Sequence, residues 1–287
     1  MKRLAVVSGK GGTGKTMVTG ALAHICKRKK IMVDCDVDAA NLSLLLTPET
    51  IHNEPFTGMS VAAIDQDLCL ACGACAMACR FHAVKMENNR FFIDPLHCEG
   101  CAVCHAFCPA AAITMEPRAC GEIFHSLTEY GMLIHARLYP GAGNSGLLVH
   151  ELRKQADKLG QDCELTLLDG PPGTGCPLIS TISGADVALI VTEPSRSGHH
   201  DLERLIQVIR RFRPLIFVVI NRADLDDEMT RTIHEFCRRE SIMVLGDIPF
   251  DTEVIESIRR GEPVTKTKCP ASEAIHMIWE KLEPVIW

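Results

Sequence analysis

Six apolar runs of strand length, each continuous rather than alternating, constrain the fold of this chain more than any other feature. They are LAVV, IMVD, LTLLD, VALIVT, LIFVVI and MVLGDI, at residues 4–7, 31–34, 165–169, 187–192, 215–220 and 243–248. Continuous hydrophobicity indicates strands buried on both faces, because a strand with one face in water alternates apolar and polar residues. With helical segments between the runs, the sequence predicts an α/β fold with a doubly wound parallel sheet. Its ligand site is expected at the carboxyl ends of the strands.

Composition narrows the class of protein. Of 287 residues, 47% are hydrophobic and 23% charged, which allows one large core and a smaller appendage. The formal charge of -6 gives no basic surface for nucleic acid, and the one dense basic run, residues 27–30, is typical of a solvated helix end. No apolar stretch is long enough for a membrane span, and the first apolar run is too short for a signal peptide. We therefore expect a soluble, cytoplasmic protein that binds neither nucleic acid nor membrane.

A glycine-rich segment follows the first apolar run. Gly9 to Thr16 matches the pattern G-x-x-x-x-G-K-[ST], and the helical segment TMVTGALAHICKR comes next. In this pattern the glycines let backbone N–H groups approach phosphates, Lys15 reaches the β and γ oxygens, and Thr16 can ligate magnesium. The residues predicted to bind the nucleotide are Gly9, Gly11, Gly12, Thr13, Gly14, Lys15 and Thr16.

Eight of the fifteen cysteines fall in two groups with the spacing C-x2-C-x2-C-x3-C. The groups are Cys69, Cys72, Cys75 and Cys79, then Cys98, Cys101, Cys104 and Cys108. In a chain without an export signal, such groups indicate metal ligation rather than disulfides. Thiolates suit zinc or iron–sulfur clusters, but two zinc sites would not need a third cysteine two residues after each C-x2-C.

The doubled spacing resembles that of a bacterial two-cluster ferredoxin, in which the fourth cysteine of each group ligates the other cluster. The resemblance implies two [4Fe-4S] clusters, one held by Cys69, Cys72, Cys75 and Cys108, the other by Cys98, Cys101, Cys104 and Cys79. Arg80 departs from the usual proline after the fourth cysteine. Because that proline shapes a turn and supplies no ligand, ligation is unaffected, although a cation there would favour the reduced cluster.

The cysteine groups also suggest a domain boundary. The stretch from about residue 60 to 118 lacks long apolar runs, so residues 60–118 are predicted to form an inserted small α+β ferredoxin-like domain. Residues 1–59 and 119–287 then form the ATPase domain. After the insert, two strand-like runs are predicted to turn near residues 129–131, followed by a helix at about 145–159.

With Lys10, the glycine-rich segment reads K-G-G-x-G-K-T and resembles the deviant Walker A motif of the family that includes MinD, ParA, the Mrp-type scaffold ATPases and the nitrogenase iron protein. In that family the extra lysine reaches across a nucleotide-sandwich homodimer to the partner's phosphates. The resemblance implies an ATP-dependent homodimer, with Lys10 and Lys15 as catalytic residues.

Three further segments carry the same resemblance. DCDVDAANL resembles switch I, where an aspartate orients water and helps to hold magnesium; Asp36 is the first choice, before Asp34 and Asp38. LLDGPPGTG resembles switch II, which implies that Asp169 binds magnesium through water and that Gly173 senses the γ-phosphate. INRAD and IPFD resemble adenine-side loops, with Asn221 as the contact to the base.

The whole chain resembles MinD-superfamily ATPases with an inserted ferredoxin domain. One departure is Leu147, which stands at the lysine position of the usual N-S-G-K segment. Cys176 follows switch II and is read as a packing residue, with a metal bridging two copies as the alternative. The C-terminal helical segment could bind a membrane, but its acidic residues favour packing on the sheet.

The expected function is an ATP-binding and ATP-hydrolysing, Mg²⁺-dependent protein that couples a nucleotide-driven change of its dimer to electron transfer through two [4Fe-4S] clusters. Its partner would be a redox protein or one that receives a metallocluster. The alternative is an ATPase scaffold that assembles or delivers iron–sulfur or mixed-metal cofactors. A MinD- or ParA-like positioning protein is the third reading, and it lacks support from basic or amphipathic segments.

Overall fold

The computed structural model describes residues 1–287 apart from the side chain at position 59, and all six predicted apolar runs are strands in it. The strands are β1 (Lys2–Ser8), β2 (Lys30–Asp34), β3 (Glu49–Ile64), β4 (Val84–Glu87), β5 (Arg90–Ile93), β6 (Ile113–Thr128), β7 (Gly131–Leu138), β8 (Leu165–Pro172), β9 (Val187–Thr192), β10 (Leu215–Asn221) and β11 (Met243–Ile248). The helices are α1 (Lys15–Ile25), α2 (Leu42–Leu46), α3 (Ala74–Ala78), α4 (Val103–Ala106), α5 (Ser145–Leu159), α6 (Cys176–Ile182), α7 (Arg196–Ile209), α8 (Asp227–Arg239), α9 (Thr252–Arg260) and α10 (Pro270–Ile286).

The large sheet has nine strands in the order β11-β10-β9-β1-β8-β2-β7-β6-β3. Every pair from β11 to β7 is parallel. The sheet is nevertheless mixed, because β6 and β7 are neighbours joined by only two residues, and so short a connection allows only a hairpin. This hairpin is the predicted turn near residues 129–131, and α5 confirms the predicted helix that follows it.

The chain divides into two compact units. Unit 1 comprises Met1–Asn53, Ile123–Arg137 and Ser145–Trp287, and unit 2 comprises Glu54–Glu122 and Leu138–Asn144. The segment predicted as an insert, residues 60–118, lies within unit 2. The bounds of that unit are wider because β3 and β6 extend into it beyond the cysteine-rich segment.

Unit 1 is built on the parallel strands. All residues of β2 and β9 are buried, as their continuous hydrophobicity predicts. Apolar side chains of α1 and α10, such as Leu22 and Ile278, share one core with Leu189 of β9. The final helix therefore packs on the sheet as predicted, and no helix of the described residues is long and apolar enough to cross a membrane.

Unit 2 is small and contains the two cysteine groups. Helices α3 and α4 each begin after a residue with positive φ, Gly73 and Ala102. Strands β4 and β5 form a separate antiparallel hairpin. Its two turn residues, Asn88 and Asn89, have φ of 49° and 60°, as the primed hairpin turns require.

Candidate functional site

The glycine-rich loop lies between β1 and α1, at the carboxyl edge of the sheet. Gly12 and Gly14 have φ of 82° and 92°, a conformation that glycine adopts readily and other residues rarely. Gly14 is also the N-cap of α1, so backbone N–H groups of the loop and of the first helical turn are available to an anion. The hydroxyl of Thr13 is buried and has no hydrogen-bond partner among the described residues.

Asp169, fully buried near the end of β8, is bonded to three side chains of α1. Lys15 Nζ donates to its Oδ1 at 3.2 Å, Thr16 Oγ1 to its Oδ2 at 2.8 Å, and Thr19 Oγ1 to its Oδ1 at 2.8 Å. A buried carboxylate needs such partners because it has lost its hydration. The structure thus brings the predicted lysine, hydroxyl and switch II aspartate together.

The switch I aspartates extend this group. The register of β2 with β8 pairs Asp34 with Asp169, and Asp34 accepts from the backbone N–H groups of Asp36 at 3.1 Å and Leu42 at 3.0 Å. Asp36 Oδ2 lies 3.7 Å from Lys15 Nζ. Asp34, ranked behind Asp36 in the sequence, is therefore the carboxylate that orders the segment, whereas Asp36 faces the lysine and the cleft.

Burial and charge shift the pKa values of this group. Burial first, and then the neighbouring Asp169, raise the pKa of Asp34 to about 8. Burial alone would lower the pKa of Lys15, but Asp169, Asp34 and Asp36 together raise it. The unfolded chain releases the proton of Asp34 above the ordinary pKa near 3.8, whereas the folded chain keeps this proton up to about pH 8. The stabilisation that the bound proton gives the folded protein is therefore lost as the pH rises from about 4 to 8.

A cleft of about 810 Å³ opens beside these residues, which is within the range of small-molecule sites. Its lining includes Gly11, Gly12, Thr13, Gly14, Lys15, Thr16, Asp36, Asp38, Pro171 and Arg222. Of the residues predicted from the sequence, Gly11 to Thr16 and the aspartates Asp36 and Asp38 thus face one cavity.

Four predicted residues lie elsewhere. Asn221 is buried behind the loop, where its Nδ2 donates to the carbonyl of Thr13 at 2.8 Å. Gly173 donates its N–H to the carbonyl of Ser8 at 3.0 Å. Gly9 packs against α7, and Lys10 is bound by Glu193 at 2.6 Å, away from the cleft lining. Asn221 therefore supports the loop in this structure, and its role as a base contact stays a prediction.

The sequence reasoning missed Arg222. Its Nη1 donates to the carbonyl of Gly12 at 3.3 Å and lies 3.4 Å from Glu193 Oε2. The sequence signal for Arg222 is its place directly after Asn221, the last residue of β10.

In unit 2 the eight grouped cysteines line two pockets. Cys69, Cys72, Cys75 and Cys108 line one, together with apolar residues such as Ile64 and Phe91. Cys79, Cys98, Cys101 and Cys104 line the other, together with Phe81 and Ile93. Each pocket thus takes three cysteines from one group and the fourth from the other, which is the partition that the resemblance to ferredoxins implied.

The fourth cysteine of each group accepts a hydrogen bond from a backbone N–H group. Ala83 N–H donates to Cys79 Sγ and Ala112 N–H donates to Cys108 Sγ, both at 3.3 Å. Burial opposes ionisation of Cys79, but backbone N–H groups, Ala83 first, outweigh it and lower the pKa of this thiol. Such bonds favour the thiolate, the form that binds metal.

Cys176, which the sequence favoured as a packing residue, is exposed at the start of α6. Leu147 of α5, which stands at the usual lysine position, is exposed as well. Among the described residues, no group of three or more His, Cys, Asp or Glu side chains is arranged as a site for a metal ion.

A glycine-rich loop between a parallel strand and a helix, with a lysine and a hydroxyl beside a strand-end aspartate, defines a P-loop nucleotide-binding protein. Residues 4–264 match the CobQ/CobB/MinD/ParA nucleotide binding domain, and the chain belongs to this family.

Individual relatives agree with this assignment. The chain is 31% identical to an uncharacterized protein of Methanocaldococcus jannaschii over 286 residues, which cover 99% of this chain and 97% of that protein. It resembles the septum site-determining protein MinD of Pyrococcus horikoshii, solved with Mg-ADP, with a TM-score of 0.58 and 21% identity over 98% of this chain and 96% of the other. A stretch of 53 residues is 42% identical to the indolepyruvate oxidoreductase subunit IorA of Methanothermobacter marburgensis, and it covers 18% of this chain and 9% of that subunit.

The contact between Gly14 and Asn221 yields a prediction. A Cβ at Gly14 would collide with Asn221 Nδ2, and the residue has positive φ, so Gly14→Ala should destabilise the nucleotide-free protein by about 1–3 kcal/mol. Gly11→Ala is the matched control, because a Cβ there meets nothing within 4 Å. Urea unfolding of both variants measures the difference. Equal stability of the two variants would show that the loop does not depend on this packing.

Proposed function

We propose that this protein is a Mg²⁺-dependent ATPase that carries two [4Fe-4S] clusters and couples nucleotide binding to electron transfer. The observation that carries the proposal is the division of eight cysteines into two pockets of four, in a chain that also has a complete P-loop. Neither half alone would distinguish this protein from an ordinary ATPase or a ferredoxin.

The proposed binding and hydrolysis of ATP follow from the residues around Asp169. Lys15 would neutralise β- and γ-phosphate oxygens, Thr16 would ligate magnesium, and Asp169 would hold a magnesium-bound water. Asp36 faces the same cleft and would orient the attacking water. The Mg-ADP complex of the Pyrococcus horikoshii relative supports Mg²⁺ and an adenine nucleotide as the molecules that this site binds.

The donor set of the pockets fits iron–sulfur clusters. Each pocket offers four thiols among apolar side chains, and Cys72 and Cys101 are the exposed members. In a [4Fe-4S] cluster every thiolate bonds a different iron atom, so four cysteines need not converge on one point as the ligands of a single ion do. The lack of a single-ion group among the described side chains is therefore compatible with this donor set.

The core of unit 2 supports the same reading. Its buried members are Ala62, Cys75, Cys104 and Ile113, which is a small core for a compact unit. Units with so little buried apolar surface usually need a metal or disulfides to stay folded. A bound [4Fe-4S] cluster supplies one-electron transfer, and the protein supplies the cysteine ligands and N–H groups that set its potential.

A homodimer that forms with ATP and a redox partner complete the proposal. The deviant Walker A lysine, Lys10, supports the homodimer by family resemblance, and the match to an oxidoreductase subunit supports the redox chemistry.

Binding of magnesium nucleotide should release protons. A cation beside Asp34 favours the ionised form of its carboxyl group, so MgADP binding at pH 7 should release the proton that Asp34 holds, and the release should fall as the pH rises above about 8. Calorimetry in buffers of different ionisation enthalpy measures this release, and ADP without magnesium is the control. Release that stays constant as the pH rises would contradict the protonated state of Asp34.

Iron content tests the proposed [4Fe-4S] clusters and the division of the eight cysteines between them. Anaerobic reconstitution should give about eight iron atoms per chain, because two four-iron clusters are expected. Cys72→Ser with Cys108→Ser disturbs one pocket and should leave about four, whereas Cys72→Ser with Cys79→Ser disturbs both and should leave almost none. Cys163→Ser, outside both pockets, is the control. Wild-type protein with only about two zinc atoms would refute the iron–sulfur assignment.

Coupling between nucleotide and clusters is the decisive test of the function. We expect the cluster midpoint potentials to shift by some tens of millivolts between MgADP and a non-hydrolysable MgATP analogue, where roughly 60 mV is tenfold for a one-electron couple. An anaerobic redox titration followed by EPR measures the shift, and Lys15→Ala, which should not bind the phosphates, is the control. Superimposable curves with intact clusters would turn the assignment toward an ATPase that stores or delivers clusters.

A further inference from the structure

The ammonium group of Lys10 is held by three side chains from the segment after β9. Its Nζ lies 2.6 Å from Glu193 Oε1 and donates to Ser197 Oγ at 2.9 Å and Ser195 Oγ at 3.2 Å. A lysine ammonium has three N–H donors, and these partners occupy all of them. In the single chain, Lys10 therefore has no donor left for a phosphate.

The segment that holds Lys10 is itself fixed. Ser195 is the N-cap of α7 and accepts from Gly198 N–H at 3.0 Å, while its own N–H donates to the carbonyl of Glu193 at 2.8 Å. A Cβ at Gly198 would lie 2.5 Å from that carbonyl, so only glycine allows so close an approach. The backbone at Glu193 and the hydroxyl of Ser195 are thus fixed by bonds that do not involve Lys10.

The same segment contacts the phosphate-binding loop. Glu193 Oε2 lies 3.4 Å from Arg222 Nη1, which donates to the carbonyl of Gly12 and lines the cleft. A Cβ at Gly9 would lie 2.6 Å from the side chain of Asp201 in α7. Glu193 therefore bridges the two cations that flank the loop.

We propose that Glu193, with Ser195 and Ser197, is a positioning residue that holds Lys10 in the single chain and competes for it with the nucleotide phosphates of a second copy. The inference rests on the nucleotide-dependent homodimer of the proposed function. Association requires the three bonds of Lys10 to be exchanged for bonds to phosphate oxygens, which form strong charge-assisted pairs with lysine. Glu193 thereby sets the protein concentration at which two nucleotide-bound copies associate.

Sedimentation tests the competition. With Mg²⁺ and a non-hydrolysable ATP analogue, Glu193→Gln should associate at a roughly twofold to fivefold lower concentration than wild type, because a partly exposed ion pair opposing association is removed. Glu164→Gln, which removes the pair with Arg28 on another part of unit 1, should leave the midpoint unchanged. An unchanged or higher midpoint for Glu193→Gln would overturn the proposal.

Chemical labelling tests the holding contact in the nucleotide-free single chain. An amine-reactive ester should label Lys10 roughly twofold to fivefold faster in Glu193→Gln than in wild type, with Lys85 of unit 2 as an internal reference of constant rate. Unchanged labelling of Lys10 would show that Glu193 does not restrain it.

The two measurements separate this inference from the homodimer on which it rests. Association of wild type with an unchanged midpoint in Glu193→Gln keeps the homodimer and removes the competition. Absence of association in both proteins removes the homodimer, and the competition with it, even where labelling rises. A general structural effect of Glu193→Gln would accelerate labelling of Lys85 as well, which also counts against the proposal.

Discussion

The buried ion pair between Lys15 and Asp169 is the interaction on which the rest of the nucleotide site depends. Asp169 is inaccessible to water, and Lys15, Thr16 and Thr19 of α1 stabilise its carboxylate. These bonds fix the first turns of α1 against β8. Because the parallel register sets Asp34 beside Asp169, one lysine faces two buried carboxyl groups. Burial first, and then the neighbouring Asp169, raise the pKa of Asp34, and a divalent cation at this place would favour its ionised form.

Unit 2 depends on a different kind of constraint. Its main apolar cluster contains thiols, because two of the four buried residues of that cluster are Cys75 and Cys104. Its order follows from tight turns with positive φ and from N–H groups that point at sulfur, repeated around Cys79 and Cys108. Such a core buries little apolar surface, so in the proposed function the clusters would supply both the stability of unit 2 and its redox role.

The loop after β9 shows how a parallel sheet brings residues that are distant in sequence to one site. Residues at the ends of β9 and β10 lie far along the chain from the glycine-rich loop, yet Glu193, Asn221 and Arg222 all bear on that loop or on Lys10. Parallel strands end at one edge, so residues that follow them become neighbours whatever their separation in sequence. This arrangement explains how polar residues at the ends of separate strands join the glycine-rich loop in one site.

The sequence by itself determined the six predicted strands, the phosphate-binding loop and the identity of the eight grouped cysteines, because each follows from a local pattern: continuous hydrophobicity, glycine spacing and cysteine spacing. The partition of the cysteines came from resemblance, and the two pockets agree with it. Only the tertiary structure decided that Asp34 pairs with Asp169, that Asn221 supports the loop, that Arg222 lines the cleft and that Glu193 holds Lys10. Those contacts join residues from separate strands, and side-chain directions across a sheet depend on register and packing, which local pattern does not encode.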